Sequence, residues 1–158
     1  LAEWMTGKPV DAWEGNAHTD RGHALEDEAR TDYEFIHDVE VEKVGFVTLD
    51  DGLVGCSPDG LVGENGGHEI KCPSGGVHVS YLLNGELPTK YIPQVQGALW
   101  ICERDWWDFT SYHPDMSSLH IRIYRDEPYI KKLNDELKKF IEKMLTKRQQ
   151  LKQIGVAA

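Results

Sequence analysis

The stretch from Ser57 to Gly75, SPDGLVGENGGHEIKCPSG, limits the folds open to this chain more than any other. Two short apolar runs flank a turn through Asn65, Gly66 and Gly67, which predicts a two-stranded hairpin. The same hairpin carries Asp59, Glu69 and Lys71. A buried charge is tolerated only when it is paired, hydrogen-bonded or bound to a metal, so three of them call for a compensating partner. Alternate residues of a strand share a face, so Glu69 and Lys71 point together while Ile70 points the other way, into the core. The turn folds Asp59 back towards Glu69, although the register is not fixed by the sequence. Two converging carboxylates repel unless something positive lies between them.

A hard divalent cation, Mg²⁺ or Mn²⁺, suits such oxygen ligands and takes one or two carboxylates together with water and a substrate phosphate. The main-chain carbonyl of Ile70 is placed to add a further oxygen. Lys71 then acquires a role: it orients a water, accepts its proton if neighbouring cations lower the lysine pKa, and offsets charge in the transition state. Together these features outline phosphodiester hydrolysis. The bland alternative is a surface hairpin with a solvated Glu69–Lys71 pair, worth under roughly 1 kcal/mol. The pattern P-D, nine residues, E-x-K does not by itself choose between them.

The chain has 158 residues, 40% of them hydrophobic, enough for one sizeable core and a single domain over 1–158. It has neither a long apolar run nor the basic, apolar start of a signal peptide, so a soluble, cytoplasmic protein is expected. The opening LAEWMTG reads as the end of a helix with a glycine stop, which implies a natural segment upstream of Leu1. Cys56, Cys72 and Cys102 are too few and too irregular for a disulfide framework and are expected to be reduced and buried. No second ligand pair of zinc-site spacing accompanies His68, Cys72 and His78, so no structural zinc is expected. The net charge of −10 argues at first against nucleic acid. The distribution is polarised, however: residues 131–152 hold eight basic side chains against three acidic ones, leaving −15 on residues 1–130. The basic end suits either a solvated helix face or a surface that touches phosphate. An acidic body can still hold phosphate when its carboxylates collect divalent cations.

Periodicity predicts a helix over roughly 20–37, capped by Thr19 or Asp20, with Leu25, Ala29, Phe35 and Ile36 on its apolar face and Glu26 and Arg30 close enough to pair. VEVEKVGFVTLDD reads as one strand, turned at Asp51-Gly52 and answered by residues 53–56. After the charged hairpin come a short helix ending at Asn84-Gly85 and a longer one that contains Pro93 near its start. Two alternating strands, DWWDFTSYHP and SLHIRIYRD, precede a final amphipathic helix with Leu133, Leu137, Phe140, Ile141, Met144 and Leu145. Of Trp106 and Trp107, which alternate faces, one is expected in the core. The fold class is α/β, a mixed central β-sheet flanked by α-helices.

The segments CSPDG, HEIKCP, YIPQVQGALW and WWDFTSYHPDM, with ALEDEARTDYEF upstream, agree in order, spacing and flanking residues, and so carry more than the bare motif. Over 1–144 the chain resembles the phage lambda-type exonucleases, the viral recombinase branch of the PD-(D/E)xK nuclease superfamily. The resemblance implies a restriction-endonuclease-like core and a metal-dependent 5′ to 3′ exonuclease on linear double-stranded DNA. It places the helix glutamate of the acidic site on Glu26, the metal aspartate on Asp59, the second carboxylate on Glu69, the lysine on Lys71 and a metal-binding carbonyl on Ile70. It further implies that Gln94 contacts the scissile phosphate or the attacking water, that Ser57 helps hold a terminal 5′ phosphate and that Tyr91 lies near the active centre. Gln96, about 200° around the helix from Gln94, is expected to pack elsewhere, and Asp27 and Glu28 to be solvated. The cofactor implied is Mg²⁺, for which Mn²⁺ can substitute. The partners implied are DNA ends, a single-strand annealing protein and two further copies in a ring-shaped trimer. Much of the family's 5′-phosphate pocket comes from the segment before Leu1. A restriction-like or structure-specific endonuclease, or an inactive DNA-binding module of the same fold, are the alternatives.

Overall fold

The computed structural model describes residues 1–9 and 17–155, with side chains from Ala24 onward in the second stretch. The chain divides into two compact units, one made of residues 1–15 and 131–158 and the other of residues 16–130. The larger unit holds the sheet. Its elements are helix α2 (Ala17–His37), strands β1 (Val41–Glu42), β2 (Val47–Thr48), β3 (Gly55–Cys56), β4 (Gly60–Val62) and β5 (Gly66–Lys71), helices α3 (Gly75–Asn84) and α4 (Ile92–Ile101), and strands β6 (Trp106–Ser111) and β7 (Leu119–Tyr124). The smaller unit holds helix α1 (Ala2–Thr6), ended by Gly7 in the left-handed conformation, and most of α5 (Glu127–Gln153). Within it, the Arg148 guanidinium lies 3.8 Å from the ring centre of Trp4.

Five strands form a mixed sheet in the order β1-β4-β5-β6-β7, in which only β5 and β6 run parallel. A parallel neighbour needs a long crossover, and α3 and α4 supply it. The central strand β5 is buried on both sides and reads Gly-Gly-His-Glu-Ile-Lys. Two glycines at its start have a steric purpose: a Cβ on Gly66 would stand 2.2 Å from the Trp106 ring, and one on Gly67 would stand 2.2 Å from the Trp107 ring. The indoles lie against bare backbone. One sheet face packs Leu61 and Trp107 against Val95, Ala98 and Leu99 of α4. The other packs Ile70 and Tyr112 against Ala29, and Val41 and Val62 against Tyr33, both from α2.

Four expectations change. The helix begins at Ala17, so Thr19 and Asp20 lie inside it, and the cap position falls outside the described residues. The packed stripe of α2 is the buried Ala29 and Tyr33 with the half-buried Leu25, at four-residue spacing, while Phe35 and Ile36 are exposed, Phe35 by 87%. Tyr33 takes the core position because its hydroxyl has a buried partner: it donates to Asp108 Oδ2 at 2.6 Å, and Arg122 holds both oxygens of that carboxylate at 2.8 Å. Burial alone would raise Asp108, but the hydrogen bonds from Arg122 and Tyr33 outweigh it and hold the carboxyl below its ordinary range. The third change is that VEVEKVGFVTLDD is not one strand. It breaks after Glu42, so that β1 joins the main sheet while β2 pairs with β3 in a separate two-stranded ribbon. Of the predicted apolar face of α5, Phe140 and Leu145 are exposed.

The cysteines are free and half-buried, with Cys56 and Cys102 sulfurs 3.5 Å apart. His68 bonds Thr110 at 2.7 Å on the α2 side of the sheet, whereas His78 bonds Ser111 at 2.8 Å from α3, so they do not share a site. Trp107 is in the core; Trp106 is half-buried under the Arg122 guanidinium, 3.6 Å from its ring centre. Overpacking a tight core contact costs roughly 1–3 kcal/mol, and the Gly67 contact is against a fully buried ring. Gly67→Ala is therefore expected to destabilise the protein by about 2–3 kcal/mol, read as a lowered urea midpoint with unchanged slope, whereas alanine at exposed Gly76, which meets nothing within 4 Å, is tolerated.

Candidate active site

The pairing of β4 with β5 settles what the sequence left open. Gly60 stands opposite His68, Leu61 opposite Gly67 and Val62 opposite Gly66. Continued one residue outward, this register sets Asp59 across from Glu69. The aspartate also closes the end of the ladder: its Oδ2 accepts the Ile70 amide hydrogen at 2.7 Å. A shift of register would break this bond and turn Glu69 to the other face.

On that face the Glu69 side chain is almost fully buried, and its Oε1 accepts two donors. One is the Lys71 ammonium, two residues along the same strand. The other is the side-chain amide of Gln94, at 2.7 Å from the first turn of α4. Pro93 at the start of that helix costs nothing, because the amide it lacks has no helical acceptor there. Gln96 points away, as expected: it donates to the Tyr124 carbonyl and accepts the Asp126 amide, both at 2.9 Å.

Helix α2 delivers Glu26 from the other side. Arg30, buried and one turn on, reaches Glu26 at 3.1 Å, Asp27 at 2.5 Å and the main-chain carbonyl of Asp59 at 3.3 Å. The arginine thus ties the helix to the backbone of the hairpin, a role the sequence did not disclose beyond the four-residue spacing of the pair. Asp27 is exposed and pairs also with Lys43 at 2.5 Å. Glu28 is not merely solvated, since it accepts the Tyr112 hydroxyl at 2.5 Å. Tyr91 is half-buried, with its ring 5.3 Å from that of Phe109 and 5.6 Å from the Lys71 ammonium. Ser57 is exposed, two residues before Asp59. The structure therefore gathers Asp59, Glu69, Lys71 and Gln94, with Glu26 close enough for its charge to act on Asp59, and gives Ser57 no contact with them.

The electrostatics report the crowding. Burial first, and then the charge of Asp59, push the Glu69 carboxyl up to about 7 from an ordinary 4.5. Burial likewise raises Asp59, with Glu26 adding to the effect. Burial would lower Lys71, but the Glu69 carboxylate overcomes it and keeps the ammonium charged. The lysine is therefore a fixed cation in this arrangement and not a free base.

Among the described residues no three His, Cys, Asp or Glu side chains converge into a ready-made cage. The residues nevertheless fit a hard divalent ion that needs only one or two carboxylates and completes its shell with water and phosphate oxygens. Asp59 and Glu69 are two mutually repelling, largely desolvated acids, the donor chemistry that such an ion relieves. Asp59, Glu69 and the Ile70 carbonyl would hold it.

A mixed sheet flanked by helices, with an acid–acid–lysine set on one hairpin and a glutamine above it, defines a nuclease of the PD-(D/E)xK type. The YqaJ-like viral recombinase domain matches residues 2–105. The chain superposes on the alkaline exonuclease LHK-Exo of Laribacter hongkongensis, solved in complex with dAMP, with a TM-score of 0.89 and 32% identity, covering 96% of this chain and 79% of that one. A phage-related exonuclease from Haemophilus somnus 129PT shares the fold at TM-score 0.69 and 18% identity, over 92% of this chain and 79% of that one. The uncharacterized protein ExoD of Escherichia coli (strain K12) is 36% identical over 61 residues, 37% of this chain and 70% of its own length. The chain belongs to the YqaJ-like viral recombinase family.

A carboxyl whose folded pKa is raised costs stability as pH climbs from its ordinary value through the shifted one, here from 4.5 through about 7. In metal-free buffer, Glu69→Gln is therefore expected to match the wild type near the lower end of that window and to melt a few degrees higher above it. A saturating divalent metal should reverse the order by stabilising the wild type alone; thermal melts across pH with and without Mg²⁺ check this.

Proposed function

We propose that this nuclease is a Mg²⁺-dependent exonuclease, able to use Mn²⁺, that degrades linear double-stranded DNA from its 5′ ends and releases mononucleotides. The observation that carries the reading is the placement of Asp59 across from Glu69, with Lys71 and Gln94 both on the Glu69 oxygen. A bound divalent ion would supply a polarised phosphate oxygen and an activated water. The chain's own residues do the rest. Asp59 and Glu69 fix the charge that draws the ion, and Gln94 and Lys71 clamp Glu69 in one rotamer. The Lys71 ammonium, held charged, offsets negative charge as it grows on the phosphate in the transition state. Gln94, held against Glu69 from the first turn of α4, would orient the attacking water by hydrogen bonding.

Three lines support this substrate. The lambda-type resemblance of CSPDG, HEIKCP and YIPQVQ argues for double-stranded ends and 5′ to 3′ polarity. LHK-Exo, 32% identical, is an alkaline exonuclease solved with dAMP, a deoxynucleoside monophosphate. The buried acids favour a cation, and a cation reverses the local field of an acidic body, so the net charge of −10 is compatible with a phosphate substrate. The same resemblance extends the proposal to a homotrimeric ring, to a single-strand annealing partner and to a role for Ser57 at the terminal phosphate. It also extends to the bacterial cytoplasm as the place of action. Among the described residues no helix is long and apolar enough to cross a membrane.

The test is release of acid-soluble nucleotide from linear duplex with and without a 5′ phosphate, next to a covalently closed circle. The expected outcome is mononucleotide release from the linear substrates only, abolished by EDTA and lowered by at least roughly 10³-fold in Asp59→Asn, a loss on the scale of removing a main electrostatic stabiliser. Activity that persists in Asp59→Asn removes the site assignment; cleavage of the circle removes the exonuclease assignment.

A further inference from the structure

Lys90 is exposed, and among the described residues no carboxylate lies within ion-pair distance of it, although the chain is strongly acidic. Aromatic rings hold it instead. Its ammonium lies 4.7 Å from the ring centre of Tyr91 and 5.8 Å from that of Tyr81. The two rings meet edge to face at 6.5 Å, and both contact the buried Phe109. The lysine is thus leaned on a wall that is part of the core, which removes much of the side-chain freedom a ligand would otherwise have to freeze. Ring faces orient a cation without neutralising it, whereas a carboxylate would cancel its charge. The hydroxyls of Tyr81 and then Tyr91 keep the ammonium above the ordinary lysine range, so it is charged at any working pH.

Its position gives that charge a use. The Tyr91 ring that carries Lys90 also stands 5.6 Å from the Lys71 ammonium of the acid cluster. The two cations thus share one phenol ring, which sets Lys90 beside the acid cluster. Lys90 sits in the 3-10 turn Thr89–Tyr91, immediately before the helix whose first turn presents Gln94. Beside it opens a cleft of about 530 Å³ lined by Tyr81, Asn84, Glu86, Thr89 and Lys90 among others, with room for a sugar-phosphate unit; the Glu86 carboxylate shares the cleft but makes no ion pair with the lysine.

We propose that Lys90, braced by Tyr81 and Tyr91, forms a second phosphate subsite that grips the backbone phosphate next to the scissile one. This rests on the nuclease reading above and deepens it. An acidic surface repels DNA everywhere except where fixed cations or bound metal reverse its sign, so one unneutralised lysine beside the centre has a large effect on substrate hold. Lys90 touches a neighbouring phosphate and not the reacting atoms; it is a positioning residue.

The test compares wild type, Lys90→Met and Lys90→Arg. Binding of a short 5′-phosphorylated duplex is followed by fluorescence anisotropy with Ca²⁺ in place of Mg²⁺ over a series of KCl concentrations, and turnover is followed with Mg²⁺. Lys90→Met is expected to weaken binding by about three- to tenfold at low salt and to lower the slope of log K against log salt by about 1. In turnover it should raise KM with kcat kept, and Lys90→Arg should restore both binding and slope. An unchanged slope and affinity in Lys90→Met overturn the subsite, as does a fall in kcat at constant KM. The nuclease reading fails separately: a wild type that binds DNA in a Lys90-dependent way but releases no nucleotide keeps the subsite and loses the hydrolysis.

Discussion

Asp59 and Glu69 face each other across a hairpin in a largely desolvated place, and the register of β4 on β5 prevents either from moving away. Much of the surrounding architecture maintains this crowding. Gly66 and Gly67 let Trp106 and Trp107 lie against β5, so the central strand is held between two indoles, one on each face of the sheet. The Asp59 side chain takes the Ile70 amide hydrogen and closes the ladder where a slip would begin. Arg30 joins α2 to the Asp59 carbonyl, and Gln94 and Lys71 pin Glu69 from the opposite side.

The two faces of the sheet divide the work. Odd-numbered residues of β5 look towards α4 and build the acid cluster, while the even-numbered His68 and Ile70 look towards α2 and build a second polar core. There Tyr33 stacks on His68 with ring centres 3.9 Å apart, beside the Asp108–Arg122 pair and the His68–Thr110–His120 chain. Burial lowers His68 to about 3, so it remains neutral at working pH and acts as a hydrogen-bonding spacer on the α2 side of the central strand. Its acid dependence has the opposite sign to that of Glu69: a depressed histidine loses its stabilising contribution as pH falls below its ordinary value.

Much of this was legible in the residues. Alternation put Glu69 and Lys71 on one face, turn chemistry placed the hairpin, and helical spacing paired Glu26 with Arg30 and turned Gln96 away from Gln94. The rest needed tertiary partners. Phe35 and Ile36 are as apolar as core residues, but the stripe that packs is set by which α2 positions meet the sheet, and Tyr33 wins because Asp108 and Arg122 satisfy its hydroxyl. The break between β1 and β2 cannot be read from alternation, because both pieces alternate; only their different partners separate them. Lys90 was invisible for a similar reason, since Tyr81 and Tyr91 that hold it come from different elements.

The central claim is that the repulsion between Asp59 and Glu69 exists to be relieved by a divalent ion. A crystal soaked in Mn²⁺ and measured at the manganese absorption edge tests this most directly. The account predicts an anomalous peak about 2.0–2.3 Å from carboxylate oxygens of both residues and from the Ile70 carbonyl oxygen. A map with no peak there, or with manganese bound only elsewhere on the chain, would contradict it.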